Sequence, residues 1–564
     1  MGSDDNSSQP VSDFVPGTVL LVDFDGTLDA RHAQGHRDIV LVPTPSDDPD
    51  DPLNWSRWRK TLLMATLCVY CLAVGIASAA IYSVLVPISA ATGLTVGDLN
   101  SGTGYMFLTF GWGCLIWQPL AQKFGKRPVY LLSLLGTTVS LPPLACFFHT
   151  HDHHGIMIWA PHATTNGQWI ANKVLQGTFG APIESLCEIS VSDVYFAHER
   201  GTYIAYYALF LGGSNFIAPV ISGFINDGQG WEWVLHWCAI FNAIAFVICL
   251  FFMEETKYNR KATPLHLNDT VEINKPTESL TNGKKELESQ TTSNVDVVNG
   301  TVLPSSKTFL DKMKIFRSEH VQGSVPLKGM LIRPIKYFSL PIVVFCGFMY
   351  GAVVCYFNVL NGTASIILSA PPYSFKASSV GLCYIATVIG VFIGSFFSGP
   401  VGDKFVLYMT RRNNGIREPE YRLWLYAVLG LLVPGGLLLW GVGAAHQIHW
   451  SGLLIAMGIL GAAITAGCQL PLSYCIDCYT ELGSDAIVTI ILIRNTMSFA
   501  IGYGVTPWVT GMGYQNAFLV AAFVAMAQFS LAFVFIKYGK QLRQNSTASY
   551  FKYLEQVKND GLIH

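Results

Sequence analysis

The stretch Pro119-Leu-Ala-Gln-Lys-Phe124 closes one apolar segment of the sequence, and Pro400-Val-Gly-Asp-Lys-Phe405 closes another, 281 positions later. A second pair repeats at nearly the same offset, because Asp193-Val-Tyr195 is matched by Asp477-Cys-Tyr479. Parallel repeats of this kind are typical of secondary carriers, whose binding site lies at the interface between the repeats. The repeat therefore predicts a membrane protein built from two related halves.

The composition supports this prediction. Hydrophobic residues make up 51% of the 564 positions and charged residues only 13%, whereas a soluble domain is about 25% charged. A bilayer core requires about 20 apolar residues per helix. We therefore expect an all-α membrane protein with twelve transmembrane helices in two pseudo-symmetric six-helix halves. The predicted spans are 61–91, 101–121, 129–148, 169–191, 203–225, 234–252, 338–360, 380–400, 423–442, 452–474, 486–508 and 517–536.

Lys and Arg positions predict the orientation. Of the 35 basic residues, 32 fall on the side that carries both termini, and the positive-inside rule places that side in the cytoplasm. The expected organisation is a cytoplasmic arm (1–60), a six-helix half (61–252), a largely disordered cytoplasmic linker (253–337), a second half (338–536) and a cytoplasmic tail (537–564). The linker assignment rests on its richness in Thr, Ser, Asn, Lys and Glu.

Several classes of function are disfavoured. A net charge of -2 argues against nucleic-acid binding. The sequence contains no Walker motif, so we do not expect ATP to drive transport. The 13 cysteines lie in or beside apolar segments, which does not resemble a disulfide framework. The stretch Asp23-Phe-Asp-Gly-Thr27 resembles a phosphatase nucleophile motif, but too few residues separate it from the first span for an α/β domain. We expect no enzyme, and hence no catalytic residues, and we expect no cofactor.

Four histidines cluster between the third and fourth spans, at positions 149–154. Such a group could bind a transition metal, but flexible His-rich loops are usually solvated, and we predict no metal site.

The chain resembles the major facilitator superfamily over nearly its whole length. The family's loop signature G-x-L-A-D-R-F-G-R-R is matched by Gln118-Pro-Leu-Ala-Gln-Lys-Phe-Gly-Lys-Arg127, with Gln122 in place of Asp, and again by Gly399-Pro-Val-Gly-Asp-Lys-Phe405. The stretch Ser214-Asn-Phe-Ile-Ala-Pro-Val-Ile-Ser-Gly223 resembles a degraded form of the signature of drug:proton antiporters.

The resemblance is closer to the fungal twelve-span drug:proton antiporter group. It rests on Asp51-Pro-Leu-Asn-Trp-Ser56, Ser192-Asp-Val-Tyr-Phe196 and Arg494-Asn495, while the loop 403–423 is similar to that of the yeast histidinol and polyamine uptake carrier. The resemblance implies a fungal plasma-membrane carrier that we expect to act as a monomer. Its relatives move solutes in both directions, and they include pumps associated with secondary metabolism.

Placing an ionisable side chain inside a membrane span costs free energy, so such residues usually have a structural or functional role. Glu184 and Glu188 are spaced i,i+4 and so share a helix face. Two carboxylates this close cannot both ionise easily, which suits a site that alternates between a proton and a cationic substrate. Pro182 just before them is expected to kink the helix and free backbone acceptors. The alternative is that both acids are structural.

Further residues are candidates for gating or for lining the cavity. Arg494, the only cation predicted deep in a span, is expected to pair with Glu188 or Asp477 at an inner gate, or else to form a static ion pair. Asp403 and Lys404 belong to the loop signature, and the resemblance implies a gating role for them. Cavity candidates are Tyr82, Tyr350, Tyr356, Asn358 and Gln469, for which simple interhelical packing is the alternative.

The sequence thus predicts a secondary, proton-coupled transporter of a small organic solute, cationic or amine-bearing, that works by alternating access. The expected partners are this solute, protons and the lipid bilayer. The alternative within transport is an efflux pump for a secondary metabolite or xenobiotic. A transporter-like receptor is a third hypothesis, which the absence of a signalling domain in the linker disfavours.

Overall fold

The computed structural model is a bundle of α-helices, and helix is present in each of the twelve predicted spans. Eight of the described helical runs are long and apolar enough to cross a membrane, judged by length and composition, and the last of these contains two of the predicted spans. The structure describes residues 15–20, 32–33, 36–40, 48–138, 160–258, 297–298, 301–302, 314, 327–413, 416–479 and 482–559. The phosphatase-like stretch, the histidine cluster and most of the linker lie outside these residues.

The N-terminal group of helices precedes the linker. Two predicted spans are each divided into two helices, the first between α1 and α2 and the fourth between α5 and α6. Short 3-10 helices at Pro52–Asn54 and Ala160–His162 precede α1 and α5. The helices are α1 (Arg57–Ala79), α2 (Leu85–Thr92), α3 (Val96–Phe124), α4 (Lys126–Thr138), α5 (Asn166–Gly180), α6 (Pro182–Val194), α7 (Ala197–Gln229) and α8 (Trp231–Phe252).

Local sequence fixes several of these ends. Thr95 caps α3 and forms a reciprocal capping box with Asp98, in which each side chain accepts from the other residue's backbone N–H. Ser56 accepts from the backbone of Arg59 at the start of α1. Gly93 ends α2 with φ of 75°, in the left-handed region that glycine adopts without strain.

The C-terminal group follows the linker. A π-helical turn, Phe397–Val401, joins the helix Ala377–Phe396 to the helix Gly402–Arg412, and 3-10 helices occupy Tyr337–Ser339 and Pro419–Leu425. The helices are α9 (Leu327–Lys336), α10 (Pro341–Ser369), α11 (Ala377–Phe396), α12 (Gly402–Arg412), α13 (Tyr426–Ala445), α14 (Trp450–Cys478) and α15 (Gly483–Asn559). The helical path of α15 is broken at Gly513, where φ is 75°.

Three small two-stranded pairs accompany the helices of the described chain. The strands are β1 (Val19–Leu20), β2 (His32–Ala33), β3 (His36–Val40), β4 (Val297–Val298), β5 (Thr301–Val302) and β6 (Ile416–Arg417). The strands β2 and β3 pair with each other, as do β4 and β5. The pair of β1 with β6 joins the N-terminal arm to the C-terminal group.

The two groups of helices pack against each other along α3 with α15 and along α7 with α11. Glycine allows the close approach in the first contact, because a Cβ atom on Gly502 would lie 2.8 Å from the Cα of Gly104. In the second contact, a Cβ on Gly381 would lie 2.5 Å from the carbonyl oxygen of Pro219. Residues that face this interface are therefore contributed by both groups.

Two segments are more ordered than their composition suggests. The last eleven residues of the predicted linker are helical, in α9 and at the start of the 3-10 helix Tyr337–Ser339. The last predicted span ends at position 536, but α15 continues through the predicted tail to Asn559. Its extension is held by the buried Arg543, which bonds to Glu418 and Glu420.

Candidate functional site

The fourth predicted span is interrupted where Pro182 begins α6. Proline has no N–H, so the carbonyl of Thr178, four residues earlier, loses its helical partner. The indole Nε1 of Trp117 on α3 donates to that carbonyl at 2.7 Å. The Sγ of Cys114, also on α3, donates to the carbonyl of Ala181 at 3.3 Å. The helix is therefore interrupted at Pro182, the carbonyl that the proline leaves free has its partner on α3, and α3 holds the interrupted segment in place.

Glu184 lies in the first turn of α6, and it forms an ion pair with Arg494 of α15. The exposed fraction of the two side chains is only 11% and 8%. The pair joins the N-terminal and C-terminal groups of helices at their interface. Because both charges are largely withdrawn from water, each depends on the other for compensation.

The Arg494 guanidinium has two further partners from the C-terminal group. Its Nη1 donates to the Tyr350 hydroxyl of α10 at 2.9 Å, and its Nη2 donates to the Asn495 side-chain oxygen at 3.0 Å. The guanidinium carbon lies 4.9 Å from the centre of the Tyr350 ring. Arg494 therefore contacts Glu184, rather than the expected Glu188 or Asp477. We call Glu184, Glu188, Tyr350 and Arg494 the acid–arginine cluster.

Glu188 lies one turn beyond Glu184 on the same face of α6 and is half-buried. Within the described part of the chain, no donor bonds to its carboxylate and no cation pairs with it. The charges that act on it are those of Glu184 and Arg494. The cluster thus contains two acids and one base, and the acid that lacks a partner is the one able to accept a proton or a cation.

Two other gating candidates, Asp403 and Asp477, lie in a separate network at the basic end of the bundle, defined as the helix ends near Lys126, Arg417 and Lys540. Arg422 donates to Asp403 and to Asp477, each at 3.0 Å, and Arg417 donates to Asp477 at 2.7 Å. The Asp403 side chain is 64% exposed, and Lys404 is exposed. The structure therefore joins Asp403 to Asp477 through Arg422, which the sequence analysis did not single out.

The other cavity candidates are dispersed. The Tyr356 hydroxyl bonds to Gln528 of α15, and Gln469 accepts from Ser398 beside the π-helical turn. Both side chains are thereby engaged within the C-terminal group. Asn358 is buried, and its amide has no hydrogen-bond partner among the described residues. Tyr82 is buried in the turn between α1 and α2. Of the five cavity candidates, Tyr350 is the one in direct contact with Arg494.

Arg494 is not the only cation deep in the bundle, which corrects the expectation from sequence. Lys173 of α5 is fully buried, and its Nζ donates to the Gln176 side chain at 2.9 Å. The same nitrogen lies 4.8 Å from the centre of the Trp169 ring. Gln176 in turn donates to the carbonyl of Ala77, at the end of α1. The i,i+3 spacing of Lys173 and Gln176 was the available sequence signal.

Comparisons with known proteins agree with this architecture. The family model described as Major Facilitator Superfamily matches residues 66–484. An uncharacterized MFS-type transporter of Schizosaccharomyces pombe is 26% identical over 97% of this chain and 95% of that protein. Protein HOL1 of Saccharomyces cerevisiae is 25% identical over 94% and 95%, and efflux pump FUBT of Fusarium oxysporum is 24% identical over 88% and 76%. The crystal structure of a point mutant of the nucleoside transporter NupG has a TM-score of 0.51 at 10% identity, covering 84% of this chain and 99% of that one.

Proposed function

This chain belongs to the major facilitator superfamily, and from that premise we propose that it is a proton-coupled secondary transporter of a small cationic or amine-bearing solute. Members of this family are membrane proteins that transport small molecules, and they are not enzymes. The acid–arginine cluster supports the choice of solute. Its position between the two groups of helices is the place where carriers with repeated halves bind their substrates.

The observation that carries the proposal is the unpartnered carboxylate of Glu188 beside the ion pair of Glu184 with Arg494. The ion pair is neutral as a unit, so one acid is left over. Holding that acid as a bare carboxylate in a partly buried site is unfavourable. A proton or the cationic group of a solute neutralises it, and the two exclude each other. Competition of this kind at one site couples solute movement to proton movement.

The proposed architecture has twelve transmembrane helices in two pseudo-symmetric six-helix halves, and the protein acts as a monomer in the plasma membrane. The halves alternate access to the acid–arginine cluster from either side. The basic end of the bundle, with both termini, faces the cytoplasm because Lys and Arg concentrate there. In a cysteine-depleted version, Lys404→Cys should react only with a thiol reagent on the cytoplasmic side, and Lys376→Cys only from outside. Labelling of Lys404→Cys from outside contradicts this orientation.

Uptake of radiolabelled spermidine by cells that express the chain tests the function. Glu188→Gln should lower uptake by at least tenfold and flatten its dependence on external pH. Glu232→Gln is the matched control, because Glu232 is an exposed acid at the start of α8. Wild-type uptake with an unchanged pH profile in well-expressed Glu188→Gln eliminates Glu188 as the shared site.

The second candidate function is an efflux pump for a secondary metabolite or xenobiotic, favoured by the similarity to proteins named as efflux pumps. The same cluster serves export if the solute is loaded from the cytoplasmic side. Inside-out vesicles separate the alternatives, since a pump accumulates the solute in exchange for protons, while an importer releases it.

A further inference from the structure

A second group of polar side chains lies at the interface between the two groups of helices, away from the acid–arginine cluster. Tyr82 comes from the non-helical turn between α1 and α2, Asn361 from α10 and Tyr384 from α11. The Tyr82 hydroxyl lies beside the Asn361 amide and close to Tyr384. Exposed fractions are 4% for Tyr82 and 0% for Asn361 and Tyr384. We call these three residues the distal polar group.

The distal polar group has hydrogen-bonding capacity that the protein does not use. Within the described residues, the Asn361 amide meets the Tyr82 hydroxyl, but no hydrogen bond of good geometry reaches its Nδ2, its Oδ1 or the Tyr384 hydroxyl. Buried polar atoms are almost always hydrogen-bonded, and those that are not require an explanation. The unfilled hydrogen-bonding capacity of Asn361 and Tyr384, on adjacent helices, is explained if another molecule supplies the partners during part of the transport cycle.

The position of Asn361 relates it to the acid–arginine cluster. Asn361 follows Tyr350 by eleven residues on α10. Around the helix axis the two side chains are only about 20° apart, so they share a face, and along the axis they are about 16 Å apart. Phe357 lies between them on that face, and its ring packs edge-on against Phe216 of α7, with 5.1 Å between ring centres. The interface therefore has a charged layer and an uncharged polar layer, separated by an aromatic pair contributed by both groups of helices.

The distal polar group lies toward the end of the bundle opposite the basic end. Near it, the Asn100 amide of α3 donates to the carbonyl of Gly362 at 3.3 Å and to the Thr506 hydroxyl of α15 at 3.0 Å. These bonds close the interface on that side in the structure. When the halves part there, solute from outside reaches the distal polar group before it reaches the aromatic pair.

We infer that Tyr82, Asn361 and Tyr384 form an outer subsite that hydrogen-bonds an uncharged polar group of the solute, such as a hydroxyl, an amide or a neutral amine. This inference rests on the proposed transport function. No charged side chain acts on Tyr82 or Tyr384 in the described part of the chain, so the subsite offers hydrogen bonds without charge attraction. A solute shorter than about 16 Å occupies the outer subsite and the acid–arginine cluster in turn.

Sided transport kinetics test the subsite, with labelled spermidine as the probe. The half-saturating concentration of spermidine is measured at the outer face in intact cells and at the cytoplasmic face in inside-out vesicles. Asn361→Leu and Tyr384→Phe should each raise the outer half-saturating concentration at least fivefold and leave the cytoplasmic value within twofold. Tyr426→Phe is the matched control, because Tyr426 is equally buried but donates to the carbonyl of Gly467 within the C-terminal group. Equal effects on both faces, or none, overturn the inference.

A second measurement separates failure of the subsite from failure of the proposed function. If the wild-type protein moves no spermidine, the cationic-solute proposal fails. The subsite is then tested by the reaction of an introduced cysteine with a thiol reagent. In a cysteine-depleted version, Asn361→Cys should react with a membrane-impermeant thiol reagent added outside. Lack of reaction in folded protein overturns the subsite, whatever the solute proves to be.

Discussion

Arg494 and Glu184 form an ion pair across the interface between the two groups of helices, and each side chain is about nine-tenths buried. Removal of one charge leaves the other uncompensated in a medium of low dielectric. The two losses are not equivalent, because Glu188 lies near enough to act on Arg494 in place of Glu184. No such substitute for Arg494 is present among the described residues in contact with the two acids.

The first prediction concerns this asymmetry. Arg494→Gln should destabilise the detergent-solubilised protein by about 3–5 kcal/mol, and Glu184→Gln by clearly less, since Glu188 then compensates the arginine. Each variant should lower spermidine transport by at least tenfold. The double variant should regain stability relative to Arg494→Gln without regaining transport. Thermal unfolding and uptake are the measurements, and additive losses of stability in the double variant contradict the pairing.

The second prediction concerns the carbonyl that Pro182 leaves free. Trp117→Phe keeps an aromatic ring but removes the donor to Thr178, so a buried carbonyl loses its partner at a cost of about 1–3 kcal/mol. Thermal unfolding should show a lowered Tm. Trp237→Phe is the control, because its indole bonds to Gln229 at an exposed position. Equal Tm values for the two variants indicate that the Thr178 carbonyl finds another donor.

The third prediction separates the two acids bonded by Arg422. Asp403 is mostly exposed, so Asp403→Asn should change stability by less than about 1 kcal/mol while lowering the maximal transport rate at unchanged half-saturation. Asp477→Asn removes the acceptor of both Arg417 and Arg422 and should cost more stability. A collapse of solute affinity in Asp403→Asn, with the rate preserved, rules out a gating role.

The fourth prediction concerns pH and Glu418. Burial alone would raise the pKa of Glu418, but the hydrogen bonds from Lys540 and Arg543 outweigh it and hold the pKa below its usual value. A carboxyl group whose pKa is lowered by folding stabilises the protein above its usual pKa of about 4, and this contribution is lost as pH falls through the lowered pKa. Glu418→Gln should therefore lower Tm at pH 7, and the difference from wild type should shrink toward about pH 3. A difference independent of pH refutes the assignment.

Much of the helical framework is readable from the sequence, because a membrane span requires only a run of apolar residues of sufficient length. Glu184 and Arg494 were also singled out correctly as buried charges, since each is costly inside a span. Their pairing with each other was not predicted, because it depends on how α6 and α15 pack over a long sequence separation. Lys173 escaped notice as a buried cation because it lies near one end of an otherwise apolar run.

The short helix α9 was not predicted either, because it also depends on contacts with segments that are distant in sequence. Its sequence, Leu327-Lys-Gly-Met-Leu-Ile-Arg-Pro-Ile-Lys336, is too short and too polar for a span and contains a proline. Tertiary contacts hold it against α15. Arg333 lies 3.5 Å from Asp485 at the start of α15, and the Thr489 hydroxyl donates to the carbonyl of Pro334. Neither contact can be read from local sequence.

The extension of α15 beyond position 536 continues the last long helix and packs on the C-terminal group. It runs for 23 residues to Asn559, about 35 Å at the rise of an α-helix. It is fixed to the C-terminal group by Arg543 and by the bond between Tyr479 and Ser546. A tilt of that group by about 10° would displace the tip by about 6 Å. A fluorophore attached near Asn559 would therefore report a motion that is much smaller at the acid–arginine cluster.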